Sequence, residues 1–385
     1  MDAQKKASQQ KNPGGESYAF YLLREWDLDG LAQWLRQDPE ARPVDSKTGD
    51  TLLIAALKEI WQGGSPRSRW WGATGLARAV ELALPHSDPL AQDKNGVTAL
   101  MLAAGLTIDS ETARKTIEAI APLSDLSTQD GNGQTALAWA LQKNRDWGAQ
   151  SVAALAGGSD FKAKDANGRT PLMIAAVRGV VEWLTPWKDR WDLSEKDPSG
   201  LTALMLAIKN GRVPDILELW PLSSARDQDN NGQTALMHLA GSPAGNRMPL
   251  EVHHAALRAG NANAQDNNGD TALHLIARKS RSRGVPEDGE WVKDLARASD
   301  MSIKNHKGES VADLALREQA WDLVGVALEK PQSAASLESL VSKLAGAMGG
   351  AAAQANVEGL FLSKEMEIGQ KATEAATPSR ARRAL

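Results

Sequence analysis

The sequence contains no cysteine. That absence excludes thiol nucleophiles, disulfides, iron–sulfur clusters and thiolate zinc sites. Histidine is scarce as well. The six present (His86, His238, His253, His254, His274 and His306) show no metal-protease HExxH or comparable ligand spacing, so no metal is expected. A large net charge is also missing, since 44 basic against 48 acidic side chains leave −4. No global field therefore draws the molecule to nucleic acid or to an anionic membrane, and neither partner is expected. No segment reaches the apolar length of a membrane span. The first fifteen residues, MDAQKKASQQKNPGG, are polar and lack the apolar run of a secretory signal. They read as a disordered lead-in and imply a cytoplasmic protein, with delivery into another cell still compatible. Catalytic motifs are lacking too: GAMGG at 346–350 has no Lys-Ser/Thr ending, and no nucleophile–base pair stands out. No cofactor and no enzymatic activity are expected; an active site built on the body or tail of the protein is the alternative, without a motif to support it.

What is present is a recurring phrase. It reads DKNGVTAL from Asp93, DGNGQTAL from Asp130, DANGRTPL from Asp165, DPSGLTAL from Asp197, DNNGQTAL from Asp229 and DNNGDTAL from Asp266. Weaker copies, SKTGDTLL from Ser46 and NHKGESVA from Asn305, flank these. The anchoring glycines are Gly49, Gly96, Gly133, Gly168, Gly200, Gly232, Gly269 and Gly308, at spacings of 47, 37, 35, 32, 32, 37 and 39. Asn-Gly tolerates positive φ and marks a tight reversal, and the aspartate can accept hydrogen bonds from the turn's own amides. Thr98, Thr135, Thr170, Thr202, Thr234 and Thr271 stand at the N-cap position of an apolar, Ala-rich helix. Pro171 falls on the first helical position, where its missing N–H costs nothing. Small residues recur on the helical period after each cap, as neighbouring helices in close approach require. A second helix follows, and then a closing phrase such as GNANAQD leads into the next turn.

This unit resembles the ankyrin repeat, a turn plus two antiparallel helices with a T-P-L-H-x-A core and a period of about 33. TPLMIAAVRG from Thr170 is close to that core, and His274 in TALHLIA stands where the family has its histidine, with a structural hydrogen bond as its implied role. Other copies carry Met or Ala there. The resemblance covers about residues 43–330 in about eight copies. It implies an all-α solenoid of helix-turn-helix units joined by short turns. Residues 16–42 are expected to form an N-terminal helical cap, and 331–385 an Ala-rich tail, partly helical or disordered, with an amphipathic stretch SLESLVSKLAGAM and a basic end.

The resemblance also implies a protein partner held by the turn tips and the concave face of the first helices. The candidate contacts are Asn132, Gln134, Asn167, Arg169, Leu201, Asn231 and Gln233, a nearly neutral, hydrogen-bonding set that suits protein more than phosphate. Extra residues at about 62–71, 241–249 and 279–289 are expected as loops along one edge. Two of these are basic, with Arg67 and Arg69 in the first and Arg278, Lys279, Arg281 and Arg283 around the last, and are candidates for an acidic-partner contact. An adaptor, a toxin-neutralising immunity protein and a translocated effector all suit such a module. Abundant Trp, absent Cys and irregular repeats favour a bacterial source.

The tryptophans Trp183, Trp187 and Trp191 lie four apart in VVEWLTPWKDRW, which on one helix would form a stripe. Laying Gly179–Asp197 on Gly211–Asp229 aligns Trp187 with Leu219 and Leu184 with Ile216 as core, and Trp183 and Trp191 with the polar Asp215 and Ser223. Pro186 interrupts any continuous helix. Trp187 is therefore expected inside, with Trp183 and Trp191 at least partly exposed and Trp191 a candidate anchor for a partner.

Overall fold

The computed structural model describes residues 17–61, 66–106, 110–143, 148–242, 248–283 and 290–318, with isolated positions at 323 and 342. Its contacts divide the chain into two units, Met1–Leu219 and Trp220–Leu385. Both are built of α-hairpins, and the extended pairings among the described residues are isolated bridges within turns, such as Gln92 with Thr98 and Gln228 with Thr234.

The first unit opens with two helices, α1 (Tyr18–Arg24) and α2 (Leu28–Gln37), the second N-capped by the Asp27 carboxylate. Four repeating hairpins follow in which an inner helix precedes an outer one: α3 (Leu52–Trp61) with α4 (Pro66–Ala83), α5 (Ala99–Ala104) with α6 (Ser110–Ile120), α7 (Ala136–Lys143) with α8 (Gly148–Ala156), and α9 (Pro171–Arg178) with a 3-10 segment (Val181–Arg190). A last hairpin, α10 (Ala203–Lys209) with α11 (Val213–Leu219), ends the unit. Inner helices α3, α5, α7, α9 and α10 pack each on the next, and so do the outer elements. The second unit holds α12 (Ala235–Gly241) with α13 (Leu250–Ala259), α14 (Ala272–Arg283) with α15 (Glu290–Ala298), and α16 (Val311–Arg317).

The inner helices are short and buried nearly all round. In α10 every residue from Ala203 to Ile208 is buried, and in α9 every residue from Pro171 to Ala176. Such helices are too short to be stable alone, so packing between neighbours holds them. The threonine caps are built as the sequence implies: Thr98, Thr170, Thr202 and Thr234 accept from the amides of Met101, Met173, Met205 and Met237 at 3.3–3.4 Å. In two copies the methionine sulfur accepts the cap residue's own N–H in return, Met101 from Thr98 and Met237 from Thr234. Methionine thus occupies the acceptor role that His274 fills in α14, where Nδ1 accepts from the Thr271 amide at 3.2 Å. The other ring nitrogen of His274 bonds the Glu309 carbonyl at 3.2 Å, so it carries the proton, and burial lowers the ring's pKa.

Two expected loops are helical instead. Residues 66–71 belong to outer helix α4, and 279–283 prolong inner helix α14. Of the middle insertion, 243–247 lie outside the described residues. The side chains of Arg67, Arg69, Arg281 and Arg283 also lie outside them, as do residues 1–16 and nearly all of the tail.

The tryptophan register differs from the one obtained by counting. Val181 and Leu184 are wholly buried, as are Ile216 and Leu219, and Pro186 then matches Pro221. Proline closes the second helix in four hairpins, at Pro85, Pro122, Pro186 and Pro221, in each case within a 3-10 turn. Its fixed φ and missing N–H set the end of the helix whatever the loop length. The 180–197 hairpin is shorter before its proline and longer after it. Trp187 consequently matches Leu222 rather than Leu219, and it is half-buried, not core. Trp183 is half-buried too, lying over Gly148 at the start of α8, where a Cβ would come within 2.4 Å of the indole. The added residues bring Arg190 to the C-terminal end of α8. There it donates to the carbonyls of Ala156, Gly157 and Ser159 at 2.9, 3.0 and 2.5 Å and lies over Phe161.

Candidate partner-binding face

Each turn is built on its aspartate. Asp130 Oδ1 accepts from the amides of Asn132 and Gln134 at 2.8 and 2.9 Å, and Asp165, Asp197, Asp229 and Asp266 repeat the pattern. All eight anchor glycines have φ between +68° and +80°. At Gly133 a side chain would in addition press within 3.1 Å of the next turn's backbone at Asp165 and Ala166.

Successive turns are stitched in two ways. The carbonyl of Asn95 accepts from the Gly131 amide, Asn132 from Ala166, Asn231 from Asn267 and Asn268 from His306, at 2.7–3.0 Å. Pro198 stands at the equivalent donor position and has no N–H, so this stitch is missing between the turns at 165 and 197. The second stitch is a glutamine side chain. Gln129 Nε2 donates to the carbonyls of Gly133 in its own turn and Lys164 in the next, at 2.7 and 2.9 Å; Gln92 does the same, and in the second unit so do Gln228 and Gln265. These glutamines went unread in the sequence, although the dipeptide Gln-Asp opens all four phrases.

The exposed tips are the second and third residues of each phrase: Gly131 and Asn132, Ala166 and Asn167, Pro198 and Ser199, Asn230 and Asn231. Asn132, Asn167 and Asn231, predicted from sequence, are among them. The residue after the glycine, counted with the tips in the sequence, is not. Its main chain pairs with the aspartate in both directions, which turns its side chain under the hairpin toward the inner helices. Leu201 is only 5% exposed and is withdrawn as a contact. Gln134, Arg169 and Gln233 are half-buried. Trp191 is half-buried, as expected from the sequence, with its indole Nε1 sealed and without a hydrogen-bond partner among the described residues, so that edge of the ring is turned inward.

Charge along this row is arranged unevenly. Where the position after the glycine is acidic, a cation from the last turn of an inner helix pairs with it: Lys58 Nζ reaches Asp50 at 2.7 Å and Asp93 at 2.8 Å, Arg278 reaches Asp270 at 2.7 Å, and Arg317 reaches Glu309. Asn305 adds a 2.9 Å bond to the other oxygen of Asp270, which is wholly buried. In the turns from 130 to 201 that position holds Gln134, Arg169 and Leu201. The Arg169 Nε is sealed from solvent without a hydrogen-bond partner, and the guanidinium has no ion pair among the described residues. Asp130 and Asp229 are met from the helix by neutral-capable rings, Trp139 Nε1 and His238 Nε2, both at 3.0 Å.

On the outer layer of the first unit, the buried Asp215 carboxylate accepts from the Val181 amide at 3.2 Å, and its other oxygen has no partner. Burial pushes this carboxyl up to about 7. Among the described residues no group of histidines and carboxylates could hold a metal, and no helix is long and apolar enough to cross a membrane.

Comparison with known proteins places this unit. A family model for ankyrin repeats, in three copies, matches residues 147–220. Among solved structures, the chain is similar to the crystal structure of the ankyrin repeat domain of Bcl-3, described as a unique member of the IkappaB protein family. The match has 21% identity, covers 58% of this chain and 95% of that one, and has a TM-score of 0.48. A search of curated proteins found no match. The family model matches the central hairpins, residues 147–220, which are ankyrin repeats, and the same Asp-built turn and Thr-capped helix recur on either side of them.

Proposed function

We propose that the protein is a non-enzymatic binding module that holds a protein partner across its turn tips and the neighbouring ends of its inner helices. The observation that supports this most is a division of labour at the tips. The backbone of Asn132 and Asn231 is committed to the fold, accepting from the next turn and donating to its own aspartate, while both residues stay exposed. A row of fixed, exposed amides lowers the ordering cost that a flexible loop would add on binding. The contact set comprises Asn132 and Asn167 with the half-buried Gln134 and Arg169 in the first unit, and Asn231 with the half-buried Gln233 in the second; Arg281 and Arg283 are kept from the sequence. Adaptor, immunity protein and translocated effector, each bacterial and cytoplasmic at synthesis, are the roles that fit, and the identity of the partner decides among them.

The test is isolation of a stoichiometric complex from the source organism, then repetition with Asn132→Glu and Asn231→Glu. Loss of the complex with an unchanged melting temperature is the expected result. Retention by both variants, or turnover by the isolated protein, contradicts the reading.

A further inference from the structure

The inner helices of the first unit from residue 99 to 209 read ALMLAA, ALAWALQK, PLMIAAVR and ALMLAIK. They carry no aspartate or glutamate, and three of them end in a cation: Lys143, Arg178 and Lys209. Arg178 and Lys209 are exposed on adjacent, packed helices, and among the described residues neither has an ion pair or side-chain hydrogen bond. Arg169, under the turn that leads into α9, is likewise unpaired. At the position of Lys209, nine residues after the anchor glycine, Lys58, Arg278 and Arg317 are all engaged by carboxylates; Arg178 stands one residue further along its repeat.

Among the described residues the rest of the unit does not supply the missing acids; Asp109 and Asp146, in the segments that follow two of these helices, lie outside the described residues. The turn carboxylates Asp165 and Asp197 are occupied by their own backbone amides. Outer-layer acids are engaged there, Glu111 and Glu118 by Arg114 and Glu218 by Thr185. A helix macrodipole favours a cation in a last turn, but it gives no reason for acids to be absent from four successive helices or for Arg169 to replace an acid under its turn. Charge complementarity does.

We propose that this face of the first unit, on Arg169, Arg178 and Lys209, receives an acidic segment of a protein partner. The proposal rests on the protein-binding reading above and specifies the chemistry of the partner. Packed helices lie about 8–10 Å apart, so cations on neighbouring helices match carboxylates about three residues apart in an extended chain.

The experiment measures binding of a fluorescent deca-glutamate peptide to the full chain by anisotropy, at low and high salt. An uncharged deca-glutamine peptide and a thymidine oligonucleotide serve as the other probes. Expected are binding of the glutamate peptide alone, weakening with salt, and a loss of about ten-fold or more in the variant R169E/R178E/K209E. The neutral variant R169Q/R178Q/K209Q should lose most of the binding as well, with an unchanged melting temperature, which separates lost contacts from lost folding. Absence of glutamate-peptide binding, equal binding by the folded neutral variant, or tighter binding of the oligonucleotide overturns the proposal. If the stoichiometric complex forms while the glutamate peptide fails, the acidic segment is wrong and the protein-binding reading stands.

Discussion

The same position in the repeat is used in opposite ways in the closed turns of the chain, those at Asp50, Asp270 and Glu309, and in the central turns of the first unit. In the last two turns of the second unit the residue under the turn is an acid, Asp270 or Glu309, and the inner helix closes on it through Arg278 or Arg317, as Lys58 closes on Asp50 in the first unit. In the central turns of the first unit that position holds Gln134, Arg169 and Leu201, and Arg169, Arg178 and Lys209 have no ion-pair partner among the described residues. One arrangement satisfies its charges within the fold. The other leaves its cations without an acid in the fold, and on the proposal above this difference, rather than the turn tips, marks the face that meets a partner.

The largest effect should come from breaking the closed arrangement. Asp270→Ala removes a wholly buried carboxylate and strands both Arg278 and Asn305. It should cost about 3 kcal/mol, read as a lower melting temperature with faster hydrogen exchange across 266–317. Charge reversal in the open arrangement, Arg178→Glu or Lys209→Glu, should change stability by less than about 0.5 kcal/mol, since no internal partner is lost. A drop comparable to that of Asp270→Ala would remove the distinction between the two arrangements.

Asp215 sharpens the comparison through pH. Its folded pKa lies above its unfolded value, so between about pH 4 and 7 the native state binds more protons than the unfolded state. Its contribution therefore makes the first unit less stable as pH rises through that window, with the full penalty present above about pH 7. Asp215→Asn keeps an acceptor for the Val181 amide and removes the charge. Denaturant unfolding of the variant should lose this part of the pH slope and gain a few kcal/mol at neutral pH. An unchanged slope would count against the buried carboxylate as its origin.

Smaller effects test the scaffold common to both units. Gln129→Ala removes two amide-to-carbonyl bonds between neighbouring turns and should cost about 1–2 kcal/mol. Thr202→Ala removes one cap, worth about 1 kcal/mol. Denaturant melts of the two variants in parallel should preserve that order.

Much of the scaffold was legible because it is local. Asp, Asn-Gly and Thr act within a few residues of themselves, so the phrase alone implies the turn, the positive φ and the cap, and the structure builds each of them. His274 was legible for the same reason. What was missed acts across repeats or depends on facing. Gln129 and Arg190 reach carbonyls about a repeat away, which no window of one repeat reveals. Leu201 was misjudged because sequence distance from the turn does not say which side of the hairpin a side chain takes. The tryptophans were misaligned because equal loop lengths suggested one register, while Pro186, matched with Pro221, imposes another. The open cations were visible as letters, but their significance needed the ion pairs of Lys58, Arg278 and Arg317 beside them.

The most direct test of the difference between the closed and open arrangements is carbodiimide crosslinking of the deca-glutamate peptide to the full chain, with the attachment sites mapped by mass spectrometry. The account predicts a dominant crosslink at Lys209, suppressed by high salt and by added Arg169→Glu and Arg178→Glu substitutions. Crosslinks spread evenly over tip lysines such as Lys47, Lys94 and Lys307, with Lys209 no more reactive than they are, would contradict it.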